Sequence, residues 1–215
     1  MRASSILSSS VKSKSGIPFC VEIASVAELP SQFGKFRIYV FSNNLDHKEH
    51  VAIVQGDVTK AAGVPTRVHS ECLTGDVFGS LRCDCRQQLE LAFKRIGDLP
   101  QGILLYMRQE GRNIGLINKI RAYQLQEQGL DTIEANRALG FRDDERDYSI
   151  AATMLHALEV KSIQLMTNNP DKIEQLEKHG VVITKRLPHV VPASLHNRHY
   201  LLTKAKRAGH LIELD

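Results

Sequence analysis

The 215-residue sequence has no tryptophan, few aromatic residues, four cysteines and no long apolar stretch. No run approaches the roughly 18 to 20 apolar residues that span a bilayer, so we expect no membrane partner. A small secreted domain held by disulfides would be shorter and richer in cysteine. The chain also lacks an internal repeat and a linker long enough to separate two domains. One domain of ordinary size is therefore predicted.

The N-terminal segment, Met1–Gly16, lacks acidic residues and is rich in serine. This composition is weakly typical of a transit peptide, but the apolar core of a secretory signal is absent. We interpret residues 1–17 as a flexible tail, residues 18–215 as a single domain, and the protein as cytoplasmic.

Strand patterns fill the first part of the chain, and strands alternate with helices in the rest. Polar and apolar residues alternate over 35–41, and short strand-like runs follow at 51–54 and 66–69. Further helices are predicted at 89–96, 117–128, 148–158 and from Pro170 (with Asn169 as N-cap) to Gly180, and further strands at 102–107, 162–166 and 181–183. These patterns predict an α/β fold, a layered mixed β-sheet flanked by helices, with a more antiparallel N-terminal part.

Three of the four cysteines, Cys72, Cys83 and Cys85, lie within one short stretch. Thiolates select zinc, and three protein ligands would leave the fourth tetrahedral position open to water, as in a catalytic site. Two cysteines separated by one residue are only a moderate signal, because buried free cysteines are common. A closed structural site completed by His69 is a further alternative.

Three runs carry a resemblance: Arg67–Cys85, Arg108–Leu116 and Asp144–Tyr148. Together they closely resemble GTP cyclohydrolase II, an enzyme of riboflavin biosynthesis, and the similarity extends from about Val26 to the C-terminus. The resemblance implies hydrolysis of GTP at C8 of the imidazole ring, with release of formate and diphosphate. It also implies zinc at the reacting base, magnesium at the phosphates and a homodimer. The chain has no room for the synthase domain that some relatives carry, so we expect the monofunctional form.

The resemblance assigns roles to individual residues. The zinc ligands are Cys72, Cys83 and Cys85, and the catalytic residues are Tyr123, Asp144 and Arg146. The GTP-binding set is Arg67, Val68, His69, Ser70, Glu71, Gln88, Glu110, Gly111, Arg112, Thr132, Thr167 and Lys172. Without the resemblance, a solvated charged turn would be the default interpretation of the loop at Gly111, and Lys172 could face water.

Within that set, Tyr123 would orient the water of the second hydrolytic step. The family proposal makes Asp144 a proton acceptor and Arg146 a nucleophile at the α-phosphorus. A guanidinium with a pKa above about 12 is a poor nucleophile, so stabilising charge on the phosphoryl group is the alternative role. Glu134 is our candidate for reading the guanine edge.

Two rival functions follow from other features. His69-Ser70-Glu71 imitates the H-x-E signature of zinc nucleobase deaminases, but the P-C-x-x-C half is absent. The basic stretch His196–Arg207 suggests a nucleic-acid-binding module, yet the net charge of +4 is mild and no recognised binding fold accompanies it. We therefore expect GTP, and no nucleic acid, as the ligand.

Overall fold

A seven-stranded mixed sheet forms the centre of the fold, and the structure, a computed structural model, describes residues 11–13 and 16–192. The strands are β1 (Val11–Lys12), β2 (Pro18–Phe19), β3 (Val21–Ser31), β4 (Gly34–Asn43), β5 (His50–Gln55), β6 (Val64–Ser70), β7 (Gly102–Met107), β8 (Ile163–Met166) and β9 (Ile183–Leu187). The helices are α1 (Leu73–Asp76), α2 (Cys85–Gly97), α3 (Gly115–Glu127), α4 (Thr132–Ala138), α5 (Ser149–Ala157) and α6 (Pro170–Lys178).

The sheet has an antiparallel half and a parallel half. Its strand order is β3-β4-β5-β7-β6-β8-β9. Pairing is antiparallel from β3 to β7 and parallel from β7 through β6 and β8 to β9. The parallel strands are joined by helical crossovers, as parallel pairing requires. The predicted mixed α/β sheet with a more antiparallel N-terminal part is confirmed.

Two apolar clusters cover the two faces of the sheet, and consecutive residues of the central strands alternate between them. In β7, Ile103 and Leu105 belong to the cluster under α5, whereas Leu104 belongs to the cluster under α2. In β5, Val54 belongs to the cluster under α5 and Ile53 to the cluster under α2. Because both faces are covered, these strands are nearly continuous apolar runs, which is why their positions could be predicted.

The predicted strand over 102–107 coincides with β7. The predicted helix start at Pro170 is also confirmed, since the Asn169 side chain accepts a hydrogen bond from the amide of Asp171. The strand predicted over 181–183 is misplaced, because β9 begins only at Ile183. The amide of Val181 instead bonds to the carbonyl of Leu176 and closes α6.

Five elements were not predicted: β1, β2, β3, α1 and α4. Most residues of β3 are exposed, and pairing with β4 holds it, so its sequence needs no apolar alternation. Helix α4 has only seven residues, too few for a clear helical period. The range interpreted as a tail contains β1, which pairs with β2.

Each helix within residues 11–13 and 16–192 is too short or too polar to cross a membrane. The basic stretch His196–Arg207 lies outside the residues that the structure describes.

Candidate active site

A cavity of about 470 Å³ opens where the parallel strands β6, β7 and β8 end. Ligand sites of α/β sheets form at the carboxyl ends of parallel strands, and this volume is in the usual range for small-molecule pockets. The predicted residues that line it are Arg67, His69, Ser70, Glu71, Cys72, Cys83, Cys85, Gln88, Glu110, Gly111, Arg112, Tyr123, Thr132, Arg146, Thr167 and Lys172.

The three cysteines meet at one point of the cavity wall. Cys72 follows β6, and Cys83 and Cys85 lie at the start of α2, so the β6–α2 connection brings the sulfurs together within 4.8 Å of one another. The Sγ atoms of Cys72 and Cys83 are 3.7 Å apart. Two thiolates on one tetrahedral zinc, each at about 2.3 Å, would be separated by roughly 3.8 Å. The trio therefore has the donor chemistry and spacing of a zinc site.

Electrostatics around the trio also favour a bound cation. Hydrogen bonding from its neighbours lowers the pKa of Cys72, and the same contact with Cys72 raises the pKa of Cys83 to about 11. Contact with Cys72 raises the pKa of Cys85 as well. Only one thiol therefore ionises readily in this cluster. Three thiolates at such separation require a cation among them.

His69 does not join the cysteines. Within the described residues, the metal-ligand group contains the three thiols alone. The Nε2 atom of His69 lies 3.1 Å from the carboxylate of Asp76, and both side chains are buried. The closed Cys₃His site considered from the sequence is therefore not the arrangement in this structure.

Buried basic side chains, which we call the basic wall, line the same cavity as the thiols. The Arg67 guanidinium is buried and donates to the carbonyl of Met166 and to the side chain of Gln88. Burial lowers the pKa of Arg67 to about 10, so it stays charged at neutral pH. Lys172, on α6, is buried as well and donates to the carbonyl of Val68 at 2.7 Å. These buried cations suit an anionic ligand.

Asp144 and Arg146 form an ion pair at the edge of the cavity. The Nε atom of Arg146 lies 2.9 Å and 3.0 Å from the two carboxylate oxygens of Asp144, and its Nη2 atom also contacts that carboxylate. Burial raises the pKa of Asp144, but the Arg146 charge more than offsets this and lowers it. Arg146 lines the cavity and Asp144 does not. The carboxylate thus holds the guanidinium in place.

The loop after β7 has an unusual backbone. Arg112 and Asn113 both have positive φ, 60° and 72°, a region that non-glycine residues rarely adopt. Glu110 holds the loop: its carboxylate accepts from the Leu73 amide at 2.6 Å and from the Lys119 ammonium at 2.8 Å. A strained loop over-determined by its contacts is characteristic of ligand sites.

Tyr123 lies beside the thiols. Its hydroxyl is 3.4 Å from the hydroxyl of Thr74, which is itself 3.7 Å from the Cys72 sulfur. The Arg82 guanidinium packs over the Tyr123 ring at 4.7 Å. Burial raises the pKa of Tyr123, so its phenol is protonated and can donate.

The comparisons with known proteins agree with this geometry. The profile of a family described as GTP cyclohydrolase II matches residues 22–188. The chain belongs to the GTP cyclohydrolase II family.

Relatives at high identity cover most of the chain. It is 56% identical over 191 residues to GTP cyclohydrolase-2 of Picrophilus torridus, covering 89% of this chain and 99% of that protein. It is 52% identical over 192 residues to GTP cyclohydrolase-2 of Tolumonas auensis, covering 89% and 98%. It is also 55% identical over 185 residues to riboflavin biosynthesis protein RibBA of Bacillus subtilis, covering 86% of this chain and 46% of that longer protein. The first two matches span nearly the whole of proteins named GTP cyclohydrolase-2, which supports the monofunctional form, and the chain is a hydrolase of this family.

Not every residue predicted for this GTP cyclohydrolase II family member lies in the cavity. Val68 is fully buried in β6, beneath the cavity wall, and contributes its carbonyl to Lys172. Glu134 is exposed and accepts from the amide of Asp131 as part of the capping box of α4. Its carboxylate therefore belongs to the helix start, and Glu134 is not among the residues that line the cavity.

Sequence reasoning missed several residues that the family fold brings to the site. Lys119, on α3, is buried with its ammonium 3.1 Å from the Cys72 sulfur. Burial lowers the pKa of Lys119, but the Cys72 sulfur and Glu110 more than reverse this and raise it. Asp76 and Tyr106 contact one another behind His69. Lys119 and Tyr106 lie outside the three runs that carry the resemblance, whereas Asp76 lies inside the run Arg67–Cys85 but was given no role.

Proposed function

We propose that this chain hydrolyses GTP, opening the imidazole ring at C8 with release of formate and diphosphate, and that the reaction depends on zinc held by Cys72, Cys83 and Cys85. The observation that carries the proposal is a thiol trio and a basic wall sharing one cavity. The thiol trio suits hydrolysis at a nucleobase, and the basic wall suits binding of a triphosphate.

Zinc in the thiol site would supply Lewis-acid activation of the attacking water. The residues around it would orient that water and exclude bulk solvent. Tyr123 is suited to this role, since its protonated phenol lies one hydroxyl away from a metal ligand. Glu110 would hold the loop over the same end of the cavity through its bonds to α1 and α3.

The phosphates would bind at the basic wall. Six lysine or arginine side chains line the cavity against three aspartate or glutamate side chains, which favours a polyanion even after magnesium binds to the phosphates. We assign Lys172 and Arg112 to phosphate binding together with Arg146. Arg67 would orient Gln88, since the Arg67 guanidinium donates a hydrogen bond to the side-chain oxygen of Gln88 at 2.6 Å.

We further propose that Arg146 acts by stabilising charge on the α-phosphoryl group. Its ion pair with Asp144 keeps the guanidinium protonated and fixes its plane, and a protonated guanidinium has no lone pair for attack on phosphorus. A carboxylate whose pKa is lowered by this same pair is a weak base for removing that proton. An electrostatic role needs neither deprotonation nor a covalent intermediate.

The remaining assignments complete the proposal. We treat residues 18–215 as one catalytic domain that acts as a homodimer, which light scattering on the purified protein would test. All four cysteines are free thiols, and thiolate ligands persist in a reducing compartment, so we place the enzyme in the cytoplasm.

The decisive experiment is to incubate the purified protein with GTP, zinc and magnesium and to measure formate and diphosphate together. We expect both products from the wild type and from Cys20→Ser, because Cys20 is exposed and does not belong to the trio. Cys83→Ser should lose zinc and formate release. Ammonia without formate would instead identify a deaminase, and turnover by metal-free protein would contradict the zinc assignment.

A further inference from the structure

The buried carboxylate of Asp76 has three hydrogen-bond partners. Asp76 ends helix α1, and its Oδ2 atom lies 2.8 Å from the Tyr106 hydroxyl, 3.0 Å from the Cys72 amide nitrogen and 3.1 Å from Nε2 of His69. The side chains of His69 and Asp76 are each only 3% exposed. Such a buried carboxylate is stabilised by its donors, so each of these contacts matters energetically.

The donors and acceptors of this cluster determine the tautomer of His69. The Tyr106 hydroxyl and the Cys72 amide both donate to the Asp76 carboxylate, so we assign Nε2 of His69 as its third donor. Burial lowers the pKa of His69, and the contact with Asp76 offsets this only in part, so the ring is neutral at pH 7. A neutral ring protonated at Nε2 has a lone pair at Nδ1.

That lone pair has no partner within the part of the chain that the structure describes. The Nδ1 atom of His69 is buried and makes no hydrogen bond there, although His69 lines the cavity. Buried polar atoms of this kind are rare and point to a ligand. Arg67, two residues earlier on the same face of β6, has an orphaned Nε atom as well.

The ring itself is held rigidly. His69 pairs with Tyr106 across the parallel β6–β7 ladder, and the two rings stack with centroids 5.5 Å apart and planes inclined by 19°. Burial raises the pKa of Tyr106, so its phenol remains a donor to Asp76. The imidazole therefore can neither rotate freely nor exchange its partner without breaking a buried contact.

We propose that Asp76 is a positioning residue that fixes His69 with Nε2 protonated, so that Nδ1 acts as a hydrogen-bond acceptor in the cavity. The donor that it receives is an N–H or O–H group, either of the bound nucleotide or of the attacking water. This inference rests on the proposed function for the identity of those donors. The assignment of the tautomer rests on the contacts of Asp76 alone.

Long-range ¹H–¹⁵N spectra of histidine-labelled protein test the tautomer directly when they are recorded first on the metal-free protein, then with zinc, and then with zinc and a GTP analogue. Comparison with His69→Gln assigns the signals of His69. We expect Nε2 protonated and Nδ1 bare. A shift of Nδ1 when zinc is added alone would identify water as the donor, and a shift only on adding a non-hydrolysable GTP analogue would identify the nucleotide. The inference is overturned by the opposite tautomer, by a charged ring, by zinc bound to Nδ1, or by an Nδ1 signal that neither addition moves.

Variants separate positioning from general structural support. In Asp76→Asn the amide NH₂ can donate to Nε2, which reverses the tautomer, and we expect kcat/KM to fall at least about tenfold. The loss should come from a rise in KM if the nucleotide is the donor and from a fall in kcat if water is the donor. Tyr106→Phe keeps the stacked ring and should keep the tautomer, and Asp57→Asn, at an exposed turn, is the matched control.

If Asp76→Asn does not fold, the wild-type and Tyr106→Phe spectra still decide the tautomer. Absence of formate from the wild-type protein would refute the proposed function but leave the tautomer measurable. Formate release by a protein whose His69 carries its hydrogen on Nδ1 would refute only the present inference.

Discussion

Gly75, in helix α1, is packed against the thiol trio, and a single methyl group there should weaken zinc binding at least tenfold while leaving the fold intact. A Cβ atom built on Gly75 would lie 2.8 Å from Sγ of Cys83, 3.1 Å from Sγ of Cys72 and 3.1 Å from Cβ of Cys85. Ordinary contact begins at 3.4 Å, so the Cys83 sulfur would have to move by about 0.6 Å. Gly75→Ala therefore crowds all three ligand residues, and Cys83 most of all.

The size of this displacement sets the expected effect. Zinc–sulfur bonds are about 2.3 Å long, and sites tolerate deviations of roughly 0.2 Å in the ligand distances. A shift three times that tolerance should lower zinc affinity at least tenfold, or about 1.4 kcal/mol. Without metal, the Cys83 side chain can rotate away. Because alanine is favoured over glycine in a helix by up to about 1 kcal/mol, the metal-free variant should be at least as stable as the metal-free wild type.

Two measurements check the prediction. Competition with a chromophoric chelator gives the zinc affinity, and thermal unfolding of metal-free protein gives stability. Val77→Ala is the control, since Val77 follows α1 in the chain and its side chain is 59% exposed. Wild-type zinc affinity in Gly75→Ala would refute the reasoning, because the methyl group would then fit beside a metal held by all three sulfurs. Loss of affinity together with a lower melting temperature of the metal-free protein would refute it as well.

Other predictions address the phosphate end and the phenol. Arg146→Lys should lower diphosphate release by at least about a hundredfold, because an ammonium cannot bind Asp144 through two nitrogens while facing phosphate, and unchanged turnover would contradict this role. Tyr123→Phe should still release diphosphate but yield less formate and accumulate the formamide, as mass spectrometry of the products would show; normal formate release would reject the role. The pKa of Asp144 is lowered in the folded protein, so its stabilising effect is present above about pH 4 and is lost as pH falls through the folded value. Denaturant titrations from pH 7 to pH 2 should therefore show a smaller acid-induced loss of stability in Asp144→Asn, and an equal loss would contradict the ion pair's contribution.

Much of the fold could be predicted because its central strands are buried on both faces. A continuous apolar run such as that of β7 is visible in the sequence, whereas the exposed edge strand β3 has no such signature. The start of helix α4 could have been predicted from its capping residues, although the helix is too short to show a helical period. Asp131 and Glu134 form a capping box, in which each side chain accepts a hydrogen bond from the other's backbone amide.

The candidate site also contains residues that could be predicted from the sequence and residues that could not. The thiol trio and the residues around Arg67 and Arg146 belong to contiguous motifs and could be named in advance. Lys119 reaches the Cys72 sulfur from a helix 47 positions away. Tyr123 lies one turn further along the same helix, but no pattern in the sequence gave Lys119 itself a role. Glu134 stays a prediction for guanine recognition, and in this structure its carboxylate accepts from the Asp131 amide at the start of α4.

The division of the sheet into antiparallel and parallel halves has a consequence for how the protein folds. Strands β3, β4 and β5 pair with their neighbours in sequence, and such local contacts form early because little chain must be ordered to close them. The cavity requires β6 to meet β8, and the Arg67 side chain to reach the carbonyl of Met166, 99 positions away. That ordering is entropically expensive and comes late. During refolding, recovery of a ligand-competent cavity should therefore lag behind formation of the β3–β4–β5 meander.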